Sequence, residues 1–189
     1  MGAAGVALPG RWQELSFASE ALRDNPLGDP HERPVYVWAP AGDGPYPVVY
    51  VLQGFTGIAP AWFNVTPWSP AYPDLIADLA PEAIVVLVDA FTAVGGSQFL
   101  DSPAIGDYHT YLCDEIVPFV DANFPTLADR RHRGIQGKSS GGYGAMITPF
   151  LRPDLFGGLA THAGDALFES CYARDFPIAA RAPTQSRAR

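Results

Sequence analysis

The residues best suited to chemistry stand together at Gly137-Lys138-Ser139-Ser140-Gly141, a match to the pattern G-x-S-x-G. A serine hydroxyl is a weak nucleophile until it is exposed, oriented and relieved of its proton. A tight turn between a strand and a helix exposes it. The backbone at the serine is then strained, and glycines two positions before and after relieve crowding with the neighbouring strand and helix. The N–H of Ser140 would face the place where a tetrahedral oxyanion forms, and the N-terminus of the following helix adds positive potential there. The chemistry such a turn serves is acyl transfer through a covalent intermediate on Ser139. The flanks agree, since Gly134-Ile135-Gln136 is strand-like and Gly141-Gly142-Tyr143-Gly144-Ala145 is a small-residue helix start. The competing reading is a Gly/Ser-rich turn that merely joins a strand to a helix. Gly137-Lys138-Ser139 also ends a phosphate-loop pattern, G-x-x-x-x-G-K-[ST], but position 132 is His132 and a strand occupies the space that loop needs.

An oxyanion in acyl transfer needs a second donor, from the loop after an adjacent strand. The run Val48-Val49-Tyr50-Val51-Leu52 ends in Gln53-Gly54-Phe55-Thr56-Gly57. The N–H of Phe55 suits this role, with Gly54 allowing close backbone approach; without the serine turn, Gly54 would read as a strand-ending turn. The elements that must position these groups alternate along the chain. Strands are predicted at 14–18, 34–39, 48–53, 83–89, 134–136 and 158–161. The third and fourth are continuous apolar runs, the mark of strands buried on both faces. Helices are predicted over 72–79, over 107–123 with Asp107 as N-cap and a kink from Pro118, and from Ser140 to Leu151 with an irregular last turn at Pro149. Strands alternating with helices predict an α/β fold with a mostly parallel sheet and helices on both faces. Ligands of such sheets bind beyond the carboxyl ends of the strands, here the loops after Gln53, Asp89, Gln136 and Thr161.

The order of these blocks resembles the α/β-hydrolase serine esterases of the putative-esterase group, which includes S-formylglutathione hydrolase, enterochelin esterases, feruloyl esterases and the mycolyltransferases. The resemblance runs from about Trp12 to Pro177. It rests on Val35-Tyr36-Val37-Trp38-Ala39-Pro40, Leu52-Gln53-Gly54-Phe55-Thr56-Gly57, Gly95-Gly96-Ser97-Gln98-Phe99, Tyr111-Leu112-Cys113-Asp114-Glu115-Ile116-Val117-Pro118 and the serine turn. It implies an α/β-hydrolase fold, Ser139 as nucleophile and Phe55 and Ser140 as oxyanion donors. Gln53 stands where relatives often carry histidine, a tolerable departure because the backbone does the work there.

A serine nucleophile also needs a base, and the base an orienting acid. The resemblance places both after two further strands, in the order Ser, acid, His. Here the one histidine after Ser139 is His162, followed by Asp165, and the sequence from Phe176 carries three arginines and no acid. The ending reads as a truncated or frame-shifted terminus or a disordered tail, so the fold is expected to lack its last strands, with a domain at 1–182 and a tail at 183–189. His162 and Asp165 are candidates for a substitute base and acid; for His162 the plainer reading is a pocket wall or strand-end packing. Gln53, Lys138 and Trp62 are further pocket candidates, and Lys138 suits an anionic substrate or is simply exposed. Trp62, Phe63, Trp68, Phe91 and Phe99 either wall an acyl pocket or form core beneath the loops. Asp89 is at best a pocket or loop-anchoring residue. Asp154, His31, His109 and His132 read as solvated surface.

Composition narrows the classes. Of 189 residues 48% are hydrophobic, enough for a buried core, and the net charge of −8 argues against nucleic-acid binding. Gly and Pro number 19 each, well above their usual joint share of about 12%, which predicts many loops. Cys113 and Cys171 form no C-x-x-C pair, no metal-binding pattern occurs, and the N-terminus lacks a basic region, so a reduced cytoplasmic protein without cofactor is expected. No apolar run approaches a membrane span. The reading is a carboxylic-ester hydrolase of small-molecule esters, impaired by its missing acid and base. The alternatives are a non-catalytic relative that binds an acyl ligand or partner, and an acyltransferase. Oligomeric state is not legible.

Overall fold

Two apolar runs set the centre of the sheet. In the computed structural model, which describes residues 11–65, 67–80 and 82–181, strands β3 (Val48–Leu52) and β4 (Ile84–Val88) pair in parallel, and every residue of β4 is buried. The tail expected at 183–189 lies outside the described residues. Around this pair stand β1 (Trp12–Ala18), β2 (Glu32–Trp38), β9 (Arg133–Lys138) and β10 (Gly158–His162), in the order β1-β2-β4-β3-β9-β10. The four strands from β4 to β10 run parallel, while β1 and β2 form an antiparallel flank. Two short ribbons, β5 (Phe91–Thr92) with β6 (Gly95–Gly96) and β7 (Asp101–Ser102) with β8 (Gly106–Asp107), decorate the long connection after β4.

Alternation along the strands divides the core into two layers. Val48, Tyr50, Leu52, Ile84, Val86 and Val88 point to one face, where the long helix and Ala145 pack. Val51, Val85 and Leu87 point to the other, with Trp12, Tyr36, Trp38 and Ile76. Helix α1 (Tyr72–Leu79) supplies Ile76, so helices cover both faces as expected. Helix α4 (Ser140–Leu151) has the predicted bounds and contains Pro149; α5 (Phe168–Tyr172) and α6 (Phe176–Arg181) are short and exposed. Every residue of β10, at the sheet's edge, is exposed. Among the described residues no helix is long and apolar enough to cross a membrane.

The predicted 107–123 helix forms in three parts: α2 (Tyr108–Thr110), a wide π-type segment (Tyr111–Ile116) and α3 (Val117–Asn123). Pro118 lacks the N–H that a regular ladder needs, and the widened turns lie just before it. Asp107 is not the cap, for its side chain makes no capping bond. Asp101 takes that role, accepting from the N–H groups of His109 at 2.8 Å and Thr110 at 2.9 Å. The β7–β8 pairing sets Asp101 opposite Asp107 and so beside the helix start. His31, His109 and His132 all keep part of their surface in solvent. His109 Nδ1 lies 3.3 Å from the Phe99 carbonyl and His132 Nδ1 lies 3.0 Å from Asp129. Cys113 is buried in the long helix, and burial pushes its thiol up to about 12; Cys171 is exposed, and both are free.

Leu112 is fully buried between the long helix and the sheet. Leu112→Ala is expected to cost about 2–5 kcal/mol, read as a lower urea midpoint with an unchanged slope.

Candidate active site

Strand β9 carries Lys138 to its end, and the chain enters α4 one residue later. That reversal forces Ser139 to φ 55°, ψ −123°, a region a side-chain-bearing residue rarely adopts. Its N–H donates to the His162 carbonyl at 2.9 Å, and its own carbonyl accepts from Tyr143 N–H at 2.9 Å. Glycine is required on both sides. A Cβ at Gly141 would stand 2.2 Å from the Leu52 carbonyl oxygen, and one at Gly137 would stand 2.2 Å from that of Gly141.

The Ser139 side chain is half-buried, and its hydroxyl donates to Asp165 Oδ1 at 3.4 Å. The Ser140 hydroxyl donates to Asp165 Oδ2 at 3.1 Å, as does the Tyr172 hydroxyl at 3.0 Å. Gln98 Nε2 donates to the Tyr172 oxygen at 2.9 Å. Asp165 thus gathers both serines and α5 around one carboxylate. Tyr172 carried no pattern that could have marked it in the sequence, and Gln98 entered only as part of the block Gly95-Gly96-Ser97-Gln98-Phe99, with no role of its own.

The loop after β3 lies against this turn. Gly57 N–H donates to the Gly54 carbonyl at 2.9 Å, closing a tight bend with Thr56 at φ 65°. A Cβ at Gly54 would come 3.4 Å from Ser139 Cβ and 4.0 Å from its Oγ, so the Gly54–Phe55 backbone borders the nucleophile candidate. The Phe55 side chain is 52% exposed. Gln53 is buried, and its side-chain amide has no partner among the described residues. With Gly54, Ser97 and Ser140 it lines a cavity of about 10 Å³.

On the opposite face of β9 and β10 opens a cleft of about 360 Å³, lined by Val51, Trp62, Tyr72, Gln136, Lys138 and His162 among others. The Trp62 and Tyr72 rings meet with centroids 4.5 Å apart and planes tilted by 46°, and Gln136 Nε2 donates to the Tyr72 hydroxyl at 3.3 Å. Burial pushes that phenol up to about 12, so it stays neutral. Thr161 bonds the Gly142 carbonyl on the α4 side, and strand alternation turns the next residue, His162, into the cleft. The sequence candidates therefore divide into two groups. Ser139, Ser140 and Asp165 meet at the turn beside Phe55 and Gln53, while Lys138, Trp62 and His162 share the cleft. The loop aromatics divide too: Phe99 is 3% exposed core, Phe63 packs against the α1-side core, and Trp68 is 92% exposed. Among the described residues no group of three or more His, Cys, Asp or Glu is disposed to hold a metal ion.

Residues 30–171 match the family described as "Esterase: Putative esterase". The chain belongs to this esterase family. Over 117 residues it is 29% identical to an endo-1,4-beta-xylanase/feruloyl esterase of Xylanibacter ruminicola, covering 59% of this chain and 16% of that protein. A ferulic acid esterase superposes with a TM-score of 0.62 at 25% identity, over 77% of this chain and 56% of that one. FphF, a fluorophosphonate-binding serine hydrolase of Staphylococcus aureus, gives a TM-score of 0.69 at 19% identity, over 88% and 61%. This esterase-family chain therefore spans little more than half the length of the two solved structures, and its sheet is the mostly parallel one they share.

The backbone at Ser139 generates a stability prediction. Glycine tolerates φ 55° and alanine does not. Ser139→Gly is expected to be about 1 kcal/mol more stable than the parent, and Ser139→Ala no more stable than the parent, in urea titrations.

Proposed function

We propose that this chain is a carboxylic-ester hydrolase that works through an acyl-enzyme on Ser139. The observation that carries the reading is the strained backbone at Ser139, held between two glycines whose replacement would collide with main chain. In the proposed reaction Ser139 Oγ attacks the ester carbonyl carbon, and the developing oxyanion takes the N–H groups of Phe55 and Ser140. The tetrahedral intermediate collapses, the alcohol leaves with a proton, and water then releases the acid from Ser139. The cleft lined by Trp62, Lys138 and His162 suits the apolar body of a small-molecule ester, with the Lys138 ammonium for a negative substituent. Two unpaired cysteines accord with a cytoplasmic site of action.

The group that receives the Ser139 proton limits the rate. Its hydroxyl is bonded to the Asp165 carboxylate, which is a far weaker base than an imidazole. His162 faces the cleft instead. Hydrolysis by this chain is therefore expected to be slow, of the order of the ~10³–10⁴-fold over water that survives loss of a triad member. The same contact supports a second reading, a non-catalytic acyl-binding relative in which Asp165 occupies the hydroxyl. An acyltransferase would use the same intermediate with a different acceptor alcohol.

A fluorophosphonate probe separates these readings. The parent chain is expected to take one label that is lost in Ser139→Ala, with p-nitrophenyl acetate turnover falling to the buffer rate. Asp165→Asn is expected to slow labelling by at least about tenfold. A parent chain that takes no label, or a Ser139→Ala chain that still does, removes Ser139 as nucleophile.

A further inference from the structure

We infer that Asp89 is a positioning residue for the Phe55 turn, acting through two loops that converge on it. This rests on the proposed oxyanion role of Phe55. Asp89 follows β4 and is 5% exposed. Its Oδ2 accepts from Ala59 N–H at 3.3 Å, and its Oδ1 accepts from Phe91 N–H at 3.4 Å and from Arg33 Nη1 at 3.3 Å. Arg33, equally buried on β2, also donates to the Phe91 carbonyl at 2.8 Å and to the Tyr108 hydroxyl at 2.6 Å. Its guanidinium lies 5.6 Å from the Tyr108 ring centre.

Both anchored segments lead to Phe55. Ala59 stands two residues beyond Gly57, which closes the turn bearing Phe55, and it opens the 3-10 segment Ala59–Phe63. Phe91 begins β5, which pairs with Gly95 and Gly96 of β6. Those glycines lie against Phe55: a Cβ at Gly95 would stand 2.4 Å from Phe55 Cζ, and one at Gly96 would stand 3.4 Å from Phe55 Cα. One carboxylate therefore fixes the chain behind the turn and the ribbon beside it. A buried ion pair adds little net stability over apolar residues of similar volume, whereas two oriented acceptors define where two N–H groups must lie. Burial raises the Asp89 carboxyl, and the Ala59 amide and Arg33 oppose that shift.

The test compares the parent chain with Asp89→Asn and with Arg33→Gln/Asp89→Asn, the latter leaving no unpaired buried ion. Amide hydrogen exchange is followed by residue, and Ser139 labelling by a fluorophosphonate is resolved into probe affinity and maximal rate. In both variants the amides of residues 55–59 and 91–96 are expected to exchange at least tenfold faster while β3 and β4 hold within twofold. The maximal labelling rate is expected to fall about tenfold with affinity nearly unchanged. Unaltered exchange in the two loops, or equal acceleration in β3 and β4, overturns the inference. The exchange measurement needs no reactive serine. A parent chain that takes no label thus sinks the hydrolase reading, and exchange alone then decides the role of Asp89.

Discussion

The structure depends on how closely α4 passes the end of β3. At Gly141 the helix runs so near the Leu52 carbonyl that only hydrogen fits between them. Leu52 lies in the centre of the sheet, buried on both faces, and cannot yield without opening the core. Contact of this kind brings β9, α4 and the loop after β3 to a single point. Ser139 must then reverse the chain within one residue, and its positive φ is the cost of that reversal. Close packing thus converts the bulk apolar character of β3 and β4 into the placement of one hydroxyl.

The central layer was legible in the sequence because its signals are local. Val48–Leu52 and Ile84–Val88 are continuous apolar runs, and a strand buried on both faces needs nothing more to be recognised. The bounds of α4 followed from the glycines around Ser139 and from Pro149, which express backbone geometry rather than distant contacts. Asp101 was not legible as the cap of the long helix, because it gains that place only through pairing across a ribbon. Asp107, at the expected position, has the right chemistry and the wrong neighbour.

The site divides along the same line. The serine, its flanking glycines and the bend after β3 are encoded within a few residues of one another. The side-chain surroundings of Ser139 are not. Asp165 reaches it from beyond β10, past Ala163 at φ 49°. Tyr172 completes that cluster from α5 and Gln98 from the loop between β6 and β7. His162 was placed at the correct edge of the sheet, yet strand alternation decides which face its ring takes, and that depends on where β10 begins. The aromatic residues show the limit of residue type alone, with Phe99 in the core and Trp68 in solvent.

The buried thiol of Cys113 has a practical consequence. Alkylating reagents attack thiolate, and this sulfur is both covered and held in its neutral form, whereas Cys171 is open to solution. Modification at Cys171 would be prompt, and modification at Cys113 would wait for the long helix to lift from the sheet. The slower of the two reactions is a built-in clock for opening of that layer under native conditions, with the faster one as its internal reference.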